Sequence, residues 1–207
     1  MCNLYSVTKG QQAIRELARA MRDRTGNLPP LYGIFPDYSA PIVRNQPEGR
    51  ELMMAQWGMP SPVFALQGKK SDPGVTNVRN VKSPHWRRWL GIENRCVVPW
   101  TSFSENEVLP DGSRPTVWFA FDETRPLAFF AGIWTRWTSV RKVKEGGETI
   151  NDIFAFLTTE PNQDECNARR SDGAGGDRRL DECVSRGSAQ AAKAASRPFA
   201  KDYRERG

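Results

Sequence analysis

Histidine is nearly absent from this chain: His85 is the only one in 207 residues. The four cysteines, Cys2, Cys96, Cys166 and Cys183, form no C-x-x-C pair. One histidine and scattered cysteines do not make a Cys/His zinc site, so neither a structural metal nor a cofactor is expected. No apolar run approaches the length of a membrane span, and no basic-then-apolar signal peptide opens the chain. These absences point to a cytoplasmic protein with reduced thiols.

Large apolar residues are also missing from one region. From Gln163 to Gly207 the only ones are Leu180, Val184, Phe199 and Tyr203. Eight Arg and two Lys stand against eight acids there, and Asp172-Gly173-Ala174-Gly175-Gly176 is linker-like. A segment so poor in apolar surface does not offset its ordering entropy, so a disordered or loosely attached tail is expected over 163–207. The rest, residues 1–162, has the length of one domain.

The net charge of +6 permits a nucleic-acid partner. Seven tryptophans suit either a core or base stacking; Trp86, Trp89, Trp100, Trp118 and Trp134 are read as core. Along 1–162 the pattern is of many short strands: 4–8, 41–44, 51–58, 95–100, 102–105, 117–121, 127–133 and 153–158. Turn signals such as Pro47-Glu48-Gly49 and Pro110-Asp111-Gly112 separate them. Ile14, Leu17, Ala18 and Met21 recur at helical spacing, which predicts a helix over Gln11–Arg22 with Thr8 as N-cap. A short helix is expected over His85–Leu90, and Gly58–Gly74 reads as a long loop. The fold class is therefore α+β: a β-rich curled sheet or partly closed barrel with flanking helices.

The chemically unusual feature is the start, Met1-Cys2-Asn3. Trimming of Met1 leaves Cys2 with a free α-amine of pKa about 7.7–8 beside a thiol of about 8.5. Both nucleophiles can add to one aldehyde, the amine as an imine and the thiol as a thiazolidine. A second-codon cysteine in a frayed terminus is the ordinary alternative.

Met1-Cys2-Asn3, Phe35-Pro36, Gln56-Trp57-Gly58-Met59, Thr76-Asn77-Val78-Arg79-Asn80, Arg95-Cys96-Val97-Val98-Pro99, Phe103-Ser104-Glu105 and Phe156-Leu157-Thr158 follow one another in that order. Together they resemble the SOS-response-associated peptidase (SRAP) family of abasic-site-processing proteins, in its α-proteobacterial form, over residues 1 to about 162. The resemblance implies an abasic-site sensor for single-stranded DNA, acting as a monomer. Cys2 would form the covalent thiazolidine crosslink, with lyase-like and peptidase activity attached to the same site. It implies Asn77 positioning the sugar and Glu105 as acid/base. Asn3, Pro36, Trp57, Phe64, Arg79 and Thr158 would line or grip the DNA. Read without the resemblance, Glu105 is equally a solvated turn acid, Asn77 a turn residue and Arg79 surface charge.

The chain departs from that family at three places. Leu4 stands where Arg is frequent, and Val81 where Glu is. The family's His and its apolar closing segment have no counterpart after Asn162. The abrupt change suggests a shifted reading frame near codon 162, which translation of the other two frames would reveal. A degenerate single-stranded DNA-binding module without chemistry, and an N-terminal-nucleophile amidase or peptidase, remain the alternatives.

Overall fold

The computed structural model describes residues 3–106, 109–141 and 147–159. Eleven strands, one α-helix and three short 3-10 turns appear among them. Strand β1 is Leu4–Val7, followed by helix α1, Gln11–Ala18. Then come β2 (Ala20–Asp23), β3 (Leu31–Ile34), β4 (Ser39–Gln46), β5 (Gly49–Trp57) and β6 (Asn77–Val78). The series ends with β7 (Arg95–Trp100), β8 (Ser102–Asn106), β9 (Thr116–Phe119), β10 (Ala128–Val140) and β11 (Glu148–Leu157).

The larger sheet runs β2-β5-β4-β7-β10-β11-β6, and a parallel β5–β11 pairing closes it. Five strands, β5, β4, β7, β10 and β11, thus form a closed mixed barrel, and β2 and β6 branch from its rim. Closure removes the long edges that an open sheet would leave for unwanted pairing. Every neighbour in the ring is antiparallel except the closing pair. A second sheet, β3-β1-β8-β9, lies against the barrel.

The two sheets share an aromatic core. Tyr5 from β1 meets Trp57 edge-on at 5.1 Å and Phe156 at 5.2 Å. Phe156 in turn lies 4.6 Å from Phe130, which stacks on Trp100 at 4.9 Å. Such pairs contribute about 0.5–1.5 kcal/mol each beyond the area they bury. A buried hydroxyl network pins β1 from its other side: Ser6 Oγ lies 2.7 Å from Ser102 Oγ, and Thr101 Oγ1 accepts from both the Thr8 backbone N–H and the Thr8 hydroxyl at 3.1 Å. The start of β1 is therefore held by packing and by hydrogen bonds.

Three local expectations are corrected. The helix stops at Ala18, where Arg19 turns left-handed with φ 52°. Arg50 donates to the Ala18 carbonyl at 2.7 Å, and the chain continues as β2 alongside β5. Met21 is 71% exposed, so the apolar spacing that predicted a longer helix does not mark one buried face. Thr8 is not the N-cap; Gly10 is, and the Thr8 hydroxyl is spent on Thr101. The segment Leu31–Ile34, not among the strands expected, pairs with β1 as a strand. The tail expected over 163–207 lies outside the described residues.

Candidate functional site

Pairing register, more than any single side chain, assembles the site. Strand β1 sits between β3 and β8, with Tyr5 opposite Ile34 on one side and Phe103 on the other. Extending these antiparallel registers two residues towards the N-terminus sets Asn3 opposite Pro36 on one side and Glu105 on the other. Asn3 is reached from a third direction by β6: the Thr76 hydroxyl donates to Asn3 Oδ1 at 3.3 Å, and Asn77 Nδ2 donates to Thr76 Oγ1 at 2.9 Å. β11 closes the fourth side, with Phe156 beside Asn77 and the Thr158 N–H donating to the Val78 carbonyl at 3.0 Å. The Thr158 hydroxyl is enclosed and has no hydrogen-bond partner among the described residues.

Of the predicted site residues, Pro36, Asn77, Glu105 and Thr158 are thus carried by elements that approach Asn3, the residue immediately before β1. Asn77, Glu105 and Thr158 are half-buried, and Asn3 is open to solvent. Cys2 and Met1 lie outside the described residues. Arg79 continues from β6 onto the surface, where Arg79, Lys82, Arg87 and Arg88 are all exposed with no acid between them in sequence. Arg88 lies over the Trp89 ring at 4.5 Å. This run of cations suits a phosphate backbone.

Trp57 requires a correction. It is 0% exposed, so it offers no face to a base. Its indole N–H donates to the Thr76 carbonyl at 3.1 Å while its ring packs on Tyr5 and Phe156. Trp57 is the floor under Thr76 and Asn77. Phe64 is the opposite case: it stands in the loop after β5 at 76% exposure beside an equally open Val63, on a 3-10 turn over Val63–Leu66. His85, the lone histidine, is committed elsewhere: Nε2 lies 2.9 Å from the Pro60 carbonyl oxygen, and the ring abuts Trp86 and Trp89. Trp86, Trp89 and Trp100 are core as expected, whereas Trp118 alternates outward on β9 and is exposed.

Sequence reasoning missed the residues that hold the rim together. Thr76 connects Asn77 to Asn3, a role that its place at the head of the Thr76–Asn80 motif did not reveal. Arg141, buried at the end of β10, donates to the carbonyls of Gly58 and Asp72 and lies 3.9 Å from the Asp37 carboxylate. Asp72 accepts from the Ser61 and Gly74 backbone N–H groups at 3.0 and 2.8 Å. Burial pushes the Asp72 carboxyl pKa up, but those hydrogen bonds and the Arg141 charge outweigh it and hold it below the usual value. The signal for this lock was the pair Gly58 and Gly74, both at positive φ, whose α-carbons pack beside the Arg141 guanidinium.

Among the described residues no group of three His, Cys, Asp or Glu side chains is placed to hold a metal. No described helix is long and apolar enough to cross a membrane. A cleft of about 360 Å³ opens elsewhere, between β5 and β11, lined by polar groups including Asp37, Gln56, Arg136 and Asp152. None of the candidate catalytic residues lines it.

A family profile described as SOS response associated peptidase (SRAP) matches residues 1–168. The chain belongs to the SRAP family. Solved structures of the same fold are similar at low identity. A protein from Bordetella bronchiseptica aligns at TM-score 0.57 and 19% identity, covering 93% of this chain and 92% of its own. A protein from Bacteroides thetaiotaomicron aligns at TM-score 0.54 and 19% identity, covering 88% and 86%. A phage-related protein of Bordetella bronchiseptica aligns at TM-score 0.54 and 18% identity, covering 76% and 69%. No curated protein matches the sequence. The SRAP match extends through the strand that carries Thr158 and covers every predicted site residue.

Proposed function

We propose that this SRAP protein recognises abasic sites in single-stranded DNA and captures them covalently through Cys2 once Met1 is removed. The observation that supports this most is that the elements carrying Pro36, Asn77, Glu105 and Thr158 approach Asn3, the residue that follows Cys2. Cys2 is joined directly to Asn3, and one trans peptide spans only about 3.8 Å between α-carbons. The ring-opened abasic sugar presents an aldehyde. The Cys2 α-amine adds to it, water leaves, and an imine forms. The Cys2 thiolate then adds to the imine carbon and the nitrogen takes a proton, giving a thiazolidine. Glu105 serves as the proton donor and acceptor for loss of water and for ring opening. Asn77 orients the sugar, Arg79 takes a phosphate, and Pro36 and Phe64 meet the flanking DNA. DNA repair in the cytoplasm, by a monomer, follows from this reading.

The buried thiol of Cys96 does not compete, since burial raises its pKa far above the ordinary thiol range. The commitment of His85 to Pro60 favours a slower proton transfer than a site with its own histidine. A denaturant-resistant gel shift on abasic single-stranded DNA tests the proposal. The shifted band should vanish in Cys2→Ala and form roughly 10²–10⁴-fold more slowly in Glu105→Gln. Binding that is only noncovalent and steeply salt-dependent would instead support a DNA-binding module without chemistry. Retention of Met1 in the intact mass would remove both the crosslinking and the N-terminal-nucleophile peptidase readings.

A further inference from the structure

Thr76 stands immediately before β6, and its backbone is fixed from the barrel side. Its carbonyl accepts from the Trp57 indole N–H at 3.1 Å and from the Phe156 backbone N–H at 3.0 Å. Both donors belong to fully buried residues of the aromatic core. Two donors on one carbonyl oxygen occupy both of its lone pairs and hold the peptide plane between Thr76 and Asn77. The Thr76 side chain is half-buried and, being β-branched, stiff about its first torsion. Its hydroxyl therefore sits at a defined place on the rim of the site.

From that place it reaches side chains on two different elements. Thr76 Oγ1 donates to Asn3 Oδ1 at 3.3 Å and accepts from Asn77 Nδ2 at 2.9 Å. A hydroxyl has one proton to give. With that proton directed at Asn3, only a lone pair faces Asn77, so the Asn77 amide turns an N–H towards Thr76 and its carbonyl away. The terminal torsion of an asparagine is broad, and a partner of this kind sets which way the amide faces. Asn3 gains as well: it is exposed and lies just outside β1, where a chain end frays unless something ties it down. One hydroxyl thus joins the residue bonded to Cys2 with the amide that the reading above gives to the abasic sugar.

We propose that Thr76 is a positioning residue for the crosslinking step. Acting through Asn3 and Asn77, its hydroxyl keeps the Cys2-bearing end of the chain in register with the sugar. This rests on the Cys2 reading given above. Alignment of nucleophile and electrophile lowers the barrier of the step between them and leaves the affinity for DNA largely as it was. The Asn3 bond is long for an O–H···O contact; bonds around a reacting centre often tighten only in the reacting complex. Its worth is accordingly read in a rate.

The test compares the parent with Thr76→Val, which keeps the shape and removes the hydroxyl, and with Thr76→Ser, which restores it. Thr76→Val should slow single-turnover crosslinking of abasic single-stranded DNA by roughly 2- to 12-fold, the worth of one neutral hydrogen bond, and Thr76→Ser should recover most of that rate. Binding to an oligonucleotide containing tetrahydrofuran, an abasic analogue without an aldehyde, should stay within twofold. Reaction of Cys2 with a small free aldehyde and the melting temperature should not change. The double variant Asn3→Ala/Thr76→Val should lose less than the product of the two single losses, because the same bond is removed in both. Thr76→Val crosslinking at the parent rate would overturn the proposal, and so would multiplicative losses in the double variant. An equal fall in analogue binding and crosslinking rate, or a lowered melting temperature that accounts for the slower rate, would assign Thr76 a structural role and overturn it too. A parent that leaves abasic DNA uncrosslinked would refute the Cys2 reading itself, and this role with it.

Discussion

Arg141→Met removes the charge that joins the two loops flanking the site while keeping most of the side-chain volume. Arg141 is buried and donates to the carbonyls of Gly58 and Asp72, the second at 3.3 Å. Hydrogen bonds from a charged donor are worth about 1.5–3 kcal/mol each. The longer bond belongs at the bottom of that range. The Asp37 contact at 3.9 Å adds little, because that carboxylate is partly open to solvent and already bonded by Gln56. The variant should therefore lose about 3 kcal/mol. The loss should be concentrated in one place. Gly58 and Gly74 pack against the guanidinium, so the segment between them is what loosens. Urea denaturation reads the total, and hydrogen exchange reads its location, through the amides of Ser61 and Gly74 that donate to Asp72. Arg141→Lys should recover only part of the stability, since one ammonium does not span both carbonyls as the guanidinium fork does. A loss below about 0.5 kcal/mol, the size of an ordinary surface change, would refute the reasoning. Unchanged exchange between Gly58 and Gly74 would refute it equally.

Two further outcomes follow from the same geometry. Gly132 sits in β10 between Cys96 of β7 and Phe156 of β11, and a Cβ there would lie 2.9 Å from the Ala155 carbonyl and 3.0 Å from the Cys96 sulfur. Gly132→Ala should cost about 1–3 kcal/mol by overpacking the barrel wall and lower Tm by roughly 2–4 °C for each kcal/mol, whereas an unchanged Tm would show that the wall yields freely. Asp72 has its carboxyl pKa held below the unfolded value, so its contribution is fully present above the unfolded value and is lost as pH falls from there through the lower folded value. The urea midpoint should drop more steeply for the parent than for Asp72→Asn between about pH 5 and pH 2, and identical slopes would refute that assignment.

The strands that were legible in the sequence are those whose own residues decide the matter. Arg95–Trp100 and Gly49–Trp57 combine β-branched, aromatic or otherwise apolar residues with turn residues at their ends, and they pair as strands. The helix after β1 was over-read because Leu17 and Met21 keep helical spacing yet remain exposed; Arg50, more than thirty positions away in sequence, caps the last turn instead. Tertiary contacts of that kind leave no local trace. Of the candidate site, Asn77 and Glu105 were singled out through their motif surroundings, but the approach of their strands to Asn3 depends on strand order β3-β1-β8 and on the parallel seam with β11, neither of which a linear pattern encodes. Trp57 was misassigned for a related reason. Its motif placed it at a DNA-facing surface, and it lies one layer beneath the surface, bonded to the Thr76 carbonyl.

That layering bears on what the fold contributes to the proposed chemistry. The reactivity of an N-terminal cysteine is intrinsic: an amine and a thiol on adjacent carbons condense with aldehydes in an unfolded peptide as well. The barrel therefore has no need to create a nucleophile, only to restrict which aldehydes reach it and to supply a proton at the right atom. The groups that would do this arrive from separate elements: Asn77 on β6, Thr158 after β11, Glu105 on β8 and Pro36 after β3. Pro36 follows a strand paired to β1 and Glu105 lies on another, while Asn77 and Thr158 are held by the β6–β11 pairing, so each is placed by backbone pairing and not by a mobile side chain alone. A site assembled in this way is lost as a unit when the closing β5–β11 and β11–β6 pairings open, while the reactivity of the terminal cysteine persists. Partial unfolding should then abolish selectivity for abasic DNA before it abolishes reaction with a small free aldehyde. Comparing the two rates across a urea titration measures how much of the activity belongs to the fold. Parallel loss of both rates would mean that the barrel activates Cys2 itself, and the argument from intrinsic reactivity would fail.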